Sequence, residues 1–126
     1  MIIIDNRDKR AIYEQIMDRL SDLMLIGVLK TGEKLPSVRS LAVDLSINPN
    51  TIQKAYLELE RKGYVYSVKG VGSFVSDMET IKENKKSVIY SELKELVSRA
   101  RTFISKEDFC KKVHELYTEN KEGTYD

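Results

Sequence analysis

The chain has 126 residues, which allows one domain, or a small domain with an appendage, and a useful hydrophobic core. No apolar run approaches the roughly 20 residues of a membrane helix, and the charges near the start exclude a signal peptide. We therefore expect a cytoplasmic protein without membrane contact. The single cysteine, Cys110, cannot form an internal disulfide, which fits a reducing compartment. The net charge of +1 does not indicate nucleic-acid binding, so any such signal must be local.

The first predicted element is an amphipathic helix over residues 9–26. Its apolar residues recur at helical spacing, as Ile12, Ile16, Leu20 and Leu23 show. Gly27 is placed to end the helix, and residues 30–33 are typical of a turn.

A second, shorter helix is predicted over residues 37–45. Pro36 resists helix continuation from before it, and the Ser37 hydroxyl can accept a hydrogen bond from a free amide of the first turn. The residues predicted to face inward are Val38, Leu41, Ala42 and Leu45.

A third helix is predicted to begin at Asn48-Pro49 and to end near residue 62. Asparagine is a favoured N-cap, and proline is favoured at the first helical position. The predicted buried stripe consists of Ile52, Ala55, Tyr56 and Leu59, and the opposite face carries Asn50, Gln53, Lys54 and Arg61. Gly63 supplies the C-terminal cap.

A β-hairpin is predicted to follow the third helix. Residues 64–67 and 73–75 are short β-rich runs, and residues 69–72 can form a turn with a positive charge at its tip. We call this hairpin the wing. Two short helices joined by a tight turn and followed by a hairpin predict a winged helix-turn-helix domain over residues 9–77. The predicted fold class is therefore mainly α with a small β-wing.

The local charge of this domain favours nucleic-acid binding. Residues 34–72 hold six basic and three acidic side chains, a net charge of +3. A recognition helix brings its N-terminal residues to the base edges, where Asn and Gln suit adenine and Arg suits guanine, while Lys suits phosphates. The candidate contacts are Asn48, Asn50, Thr51, Gln53 and Lys54, with Arg39 from the second helix. The alternative is that these side chains are only the solvated face of a small helical domain.

The last third of the chain is predicted to be helical. Residues 78–86 are polar and lack periodicity, which indicates a linker or the start of a helix. Residues 87–120 show two amphipathic helical patterns, predicted to form a C-terminal helical hairpin. These helices have too little partner surface to stand alone, so we predict a dimerisation region that packs on a second copy of the chain. Residues 119–126 are predicted to be disordered.

No metal, cofactor or catalytic site is predicted. Cys110 and His114 share a helix face at i, i+4 spacing, but two ligands do not close a metal site, and packing roles are more common for such residues. The sequence shows no nucleophile with a base, so we expect a protein that is not an enzyme.

The main alternative to a DNA-binding regulator is a winged-helix protein-interaction module without DNA specificity. Such a module would be expected to show an apolar exposed stripe on the third helix, and there only Leu57 departs from the polar pattern.

Three motifs in residues 11–75 resemble the winged-helix domain of the GntR family of bacterial transcription regulators. The motifs are Leu-Pro-Ser-x-Arg-x-Leu-Ala at residues 35–42, the Asn50-Thr51 pair that opens the third helix, and Gly-x-Gly-x-Phe-Val at residues 70–75. Residues 13–16 and 48–56, with the short C-terminal region, are similar to the YtrA subfamily.

This resemblance implies a homodimeric repressor of an inverted-repeat, double-stranded DNA operator, often near its own operon and in this subfamily frequently an ABC transporter operon. By position, the resemblance assigns DNA contacts to Ser37, Arg39, Asn48, Asn50, Thr51 and Gln53, and to Lys69 and Gly70 at the wing tip. Pro49 and Gln53 stand where larger members have arginine, which implies different base preferences. A small-molecule effector would have to bind in a dimer crevice or at the junction between domains.

Overall fold

The computed structural model describes residues 10–119 together with residues 2, 4, 5 and 7, so most of the C-terminal segment predicted to be disordered lies outside the described residues. The helices and strands, in chain order, are α1 (Ile12–Leu25), α2 (Val38–Leu45), α3 (Pro49–Arg61), β1 (Val65–Val68), β2 (Gly72–Val75), α4 (Met78–Ala100) and α5 (Lys106–Glu119). The predicted fold class is confirmed. The chain divides into two compact units, residues 1–86 and 87–126.

The core of the first unit lies where α1, α2 and α3 meet. Ile16 and Met24 of α1 are fully buried. The α3 stripe predicted from helical periodicity is confirmed, because Ile52, Ala55, Tyr56 and Leu59 are all between 0% and 6% exposed. This packing leaves the opposite face of α3 in solvent.

Both helices of the helix-turn-helix begin at the predicted caps. The Ser37 hydroxyl accepts a hydrogen bond from the Ser40 amide at 3.0 Å, and the Asn48 side-chain oxygen accepts one from the Asn50 amide at 2.8 Å. Helix α2 ends at Leu45, and the C-cap residue Ser46 has a φ of 54°, in the left-handed region. These caps fix the short turn between α2 and α3.

The wing is braced by residues that precede α2. Strands β1 and β2 are antiparallel, with Val65 opposite Val75. The other edge of β2 pairs with the segment before α2, where Lys34 bridges Phe74 and the Leu35 amide donates to the Ser73 carbonyl at 2.8 Å. The sequence predicted only a turn at residues 30–33, so this pairing is an addition to the predicted fold.

Residues 78–86 are helical and form the first turns of α4. Of the two interpretations of this segment, the linker is therefore wrong and the start of a helix is confirmed. Asp77 accepts a hydrogen bond from the Thr80 amide at 2.9 Å, and Ile81 is fully buried in the core of the first unit. The Asn84 amide donates to the Lys62 carbonyl. Only Met78 and Ile81 are apolar in this polar window, too few for a periodic signal, which is why the packing was not predicted.

The second unit has almost no core within one chain. Among the described residues 87–119, only Ala100 is buried. Helices α4 and α5 follow one another as predicted, joined by residues 101–105. Around that turn, Val97, Ile104 and Phe109 line a shared pocket. Within the described part of the chain, no helix is long and apolar enough to cross a membrane.

Candidate nucleic-acid interface

The segment that leads into α2 contacts both α3 and the wing. The Tyr56 hydroxyl of α3 donates a hydrogen bond to the Pro36 carbonyl at 2.7 Å, and Leu35 is hydrogen-bonded to Ser73 of β2. Burial raises the pKa of Tyr56 to about 12, so its hydroxyl stays protonated and remains a donor at neutral pH. The first turn of α2, the recognition helix and the wing are therefore held in one packed unit.

The first turn of α2 presents Ser37 and Arg39 to solvent. The Ser37 oxygen is used as the helix cap, but its hydroxyl hydrogen can still be donated. Arg39 lies two residues further on and is exposed, so its guanidinium can reach a phosphate or a guanine edge. Free amides at the start of a helix also favour an anion such as phosphate.

The first turns of α3 present the polar side chains predicted from the sequence. Asn50 and Gln53 are exposed, and Thr51 is half-buried. The side-chain oxygen of Asn48 already caps the helix, so Asn48 offers only its side-chain NH2 group to a ligand. A bidentate pair with adenine needs both the side-chain oxygen and the side-chain NH2 group, so Asn50 and Gln53 fit that role better than Asn48 does.

Two cations of α3 are oriented by neighbouring side chains. The Lys54 Nζ lies 4.2 Å from the centroid of the Tyr13 ring of α1. Arg61 donates two hydrogen bonds to Glu58, at 3.0 and 2.7 Å. This pairing lowers the pKa of Glu58 and raises the pKa of Arg61, so both side chains stay ionised. The role of Tyr13 was not predicted, because α1 and α3 meet only in the folded chain.

The wing tip carries Lys69 and Gly70 in the exposed turn between β1 and β2. Gly70 has a φ of 76°, which favours glycine at this turn. At Gly72 a Cβ would lie 2.7 Å from Cε of Lys34, so the Lys34 stem crosses the wing backbone. Lys34 therefore adds an exposed cation to the wing. The charge of Lys34 was predicted to favour nucleic-acid binding, but its position against the wing was not predicted.

The candidate metal ligands on α5 belong to the second unit. Cys110 and His114 are both exposed. Within residues 10–119, no three His, Cys, Asp or Glu side chains are grouped closely enough to hold a metal ion.

A capped two-helix motif with a polar face on its second helix, followed by a cationic hairpin, defines a winged helix-turn-helix protein. This class reads duplex DNA by placing the second helix of the motif in the major groove. The model of the bacterial regulatory proteins of the gntR family matches residues 12–75, half of the chain. The chain belongs to the gntR family, whose members are DNA-binding transcription regulators rather than enzymes.

Sequence and structural relatives agree with this family and with its YtrA-like branch. The chain is 46% identical over 99 residues to the HTH-type transcriptional repressor YtrA of Bacillus subtilis (strain 168), covering 77% of this chain and 76% of that protein. A GntR family transcriptional regulator from Listeria monocytogenes superposes with a TM-score of 0.71 at 33% identity, covering 86% of this chain and 96% of its own. YtrA from Sulfolobus acidocaldarius, a GntR-family transcription factor, gives a TM-score of 0.60 at 31% identity, covering 94% and 97%. The predicted family resemblance is confirmed.

Proposed function

We propose that this protein is a transcription repressor that binds an inverted-repeat operator as a homodimer. The proposal rests on two features: the first unit has the winged helix-turn-helix fold, and among the described residues 87–119 of the second unit only Ala100 is buried. The similar protein from Bacillus subtilis is a repressor by name, which supports the direction of regulation. By the same resemblance, the proposed operator lies upstream of the protein's own operon, with an ABC transporter among its genes.

The dimer is inferred from the apolar face of α4. Ile89, Leu93 and Leu96 are spaced to lie on one side of the helix, and they are between 42% and 58% exposed. Full burial of one such side chain stabilises a protein by roughly 1.5–3 kcal/mol. On α5, Val113 and Leu116 are similarly exposed. A second copy of the chain offers a complementary surface, because a two-fold interface joins the same patch from both subunits.

The inverted repeat of the proposed operator follows from the two-fold symmetry of the proposed dimer. Each chain supplies one α3, and a two-fold dimer presents two of them in opposite directions. Dimers of this class bind two half-sites about one helical turn apart, roughly 34–36 Å. Two inverted half-sites of DNA therefore match two α3 helices.

Each exposed group of the first unit has a proposed partner on the duplex. We assign base contacts to Arg39, Asn50 and Gln53, because their side chains suit guanine and adenine edges. Phosphate and sugar contacts are assigned to Ser37, Asn48, Thr51 and Lys54, and contacts in the minor groove or with the backbone to Lys69 and Gly70. Lys34 adds a further cation for the phosphates next to the wing.

A proposed effector site accompanies the proposed dimer. Around the turn between α4 and α5 lies a pocket of about 390 Å³, with Val97, Ile104 and Phe109 in its wall and Arg101 at the same site. A partner helix that covers the apolar face would enclose this pocket in a dimer crevice. We propose this crevice as the place where a small-molecule effector binds.

Sequencing of the genomic DNA that the purified protein captures tests the proposed function. We expect enrichment of one inverted repeat upstream of the protein's own operon. A protein-interaction module without DNA specificity would capture fragments with no shared sequence, and that result would contradict the proposal.

A further inference from the structure

One apolar side chain stands in the middle of the polar face of α3. Leu57 is 54% exposed, whereas the four residues of the buried stripe are at most 6% exposed. With 3.6 residues per turn, Leu57 lies almost in line with Asn50 and on the same side as Gln53. Leu57 is therefore part of the surface that the proposed function turns toward the duplex.

The residues around Leu57 differ from those of a protein-docking surface. Lys54, one turn before it, has its ammonium over the Tyr13 ring, and Arg61, one turn after it, is hydrogen-bonded to Glu58. Both cations are thus held by partners of their own, while the Leu57 side chain projects freely between them. A protein-docking face needs a contiguous apolar area, and the polar and charged residues around Leu57 interrupt it.

The chemistry of the major groove offers Leu57 one matching partner. The base edges present hydrogen-bond donors and acceptors, and the C5-methyl group of thymine is the apolar group among them. Leu57 cannot satisfy a donor or an acceptor, so a polar edge placed against it would lose water without replacement. Leu57 lies about 6 Å further along the helix axis than Gln53, a distance that reaches a different base pair.

We propose that Leu57 contacts a thymine methyl group in each half-site and so selects an A·T pair at that position. The inference rests on the proposed function, because it requires α3 to enter the major groove. It adds a specificity-determining residue that forms no hydrogen bond.

The test compares thymine with deoxyuridine, which lacks the C5-methyl group but keeps every hydrogen-bonding group. The full-length protein first selects its operator from random duplexes, and each thymine of that operator is then replaced in turn. We expect one or two replacements per half-site to weaken wild-type binding by roughly three- to tenfold, the scale of one lost methyl contact. Leu57→Ala should weaken binding to the thymine operator by a similar factor and lose sensitivity at those same positions.

Two further variants make the result specific. Val43→Ala removes another exposed apolar side chain, on α2, and should leave the deoxyuridine pattern of the wild type unchanged. Leu57→Gln keeps the length of the side chain and should shift the preferred base from thymine toward adenine at the sensitive positions. Circular dichroism confirms that each variant is folded.

The inference and the proposed function fail in different ways. If Leu57→Ala shows the same deoxyuridine-sensitive positions and the same losses as the wild type, the methyl contact is overturned while operator binding stands. If the wild type selects no sequence from the random pool, operator recognition itself is contradicted, and the inference falls with it.

Discussion

At the scale of single residues, the hydroxyl of Tyr56 has a structural role that can be measured. It joins α3 to the segment before α2 through its hydrogen bond to the Pro36 carbonyl. Tyr56→Phe keeps the buried ring but removes the hydrogen bond to the exposed Pro36, so we expect the free energy of unfolding to fall by roughly 0.5–1.5 kcal/mol. Urea denaturation measures the change.

Tyr66→Phe is the matched control for this prediction. Tyr66 is 48% exposed and stacks on Phe74, and removal of its hydroxyl leaves that contact intact. Its free energy of unfolding should stay close to that of the wild type. Equal effects of the two substitutions would show that the hydrogen bond to Pro36 does not stabilise the interface.

Gln53 and Lys69 test the difference between reading bases and contacting the backbone. Gln53→Ala should cost roughly 1–3 kcal/mol at the operator and relax discrimination, because it removes the proposed bidentate base contact. Lys69→Ala should weaken binding to all duplexes alike and reduce the slope of log affinity against log salt by about 1. Titrations against the operator and a scrambled duplex at several salt concentrations distinguish the two. A loss of discrimination with Lys69→Ala would contradict the assignment of the wing tip to backbone contacts.

At the scale of elements, α4 is joined to the C-terminal end of the recognition helix. Gly63 ends α3 with a φ of 81°, and a Cβ there would lie 3.1 Å from Nδ2 of Asn84, whose amide donates to the Lys62 carbonyl. Gly63→Ala should lower the free energy of unfolding by roughly 1–2 kcal/mol from backbone strain alone, with a further loss if Asn84 is displaced.

Gly27→Ala separates these two effects. Gly27 has a similar φ of 85°, but no atom lies within 4 Å of its would-be Cβ. Thermal unfolding should therefore show a larger loss for Gly63→Ala than for Gly27→Ala. If the two losses are equal, the contact of α4 with the end of the recognition helix does not contribute to stability.

The sequence predicts the local elements of this fold better than its long-range pairings. The stripe from Ile52 to Leu59 and the caps Ser37 and Asn48 were predicted because periodicity and capping depend on neighbouring residues. The bridge between Lys34 and Phe74 joins distant segments without a periodic signal. For the candidate site, the exposed residues of α3 were predicted, whereas the contact of Lys54 with the Tyr13 ring was not, because α1 and α3 meet only in the folded chain.

At the scale of the whole molecule, the proposed homodimer requires the second unit to join two chains. Replacing Leu93 and Leu96 together by Glu places two carboxylates in the proposed interface. Both side chains are exposed in one chain, so the first unit should fold unchanged while the dimer dissociates. Sedimentation should show a monomer, and operator affinity should fall because a single half-site remains.

Ser91→Glu is the control for this variant, because Ser91 is exposed on the side of α4 opposite to Leu93. It should sediment as the wild type does. If the Leu93 and Leu96 double variant also remains a dimer, the chains are joined through another surface.

The most direct test of the central claim is the affinity of the full-length protein for its inverted repeat, for one half-site and for a scrambled duplex, measured by fluorescence anisotropy at one fixed salt concentration. We expect the inverted repeat to bind at least about 1,000-fold more tightly than the scrambled duplex, with the half-site in between. In repeat titrations at higher salt concentrations, affinity for all three duplexes should fall, because basic side chains release counterions from the phosphates when they bind. Equal affinity for the inverted repeat and the scrambled duplex would contradict the account.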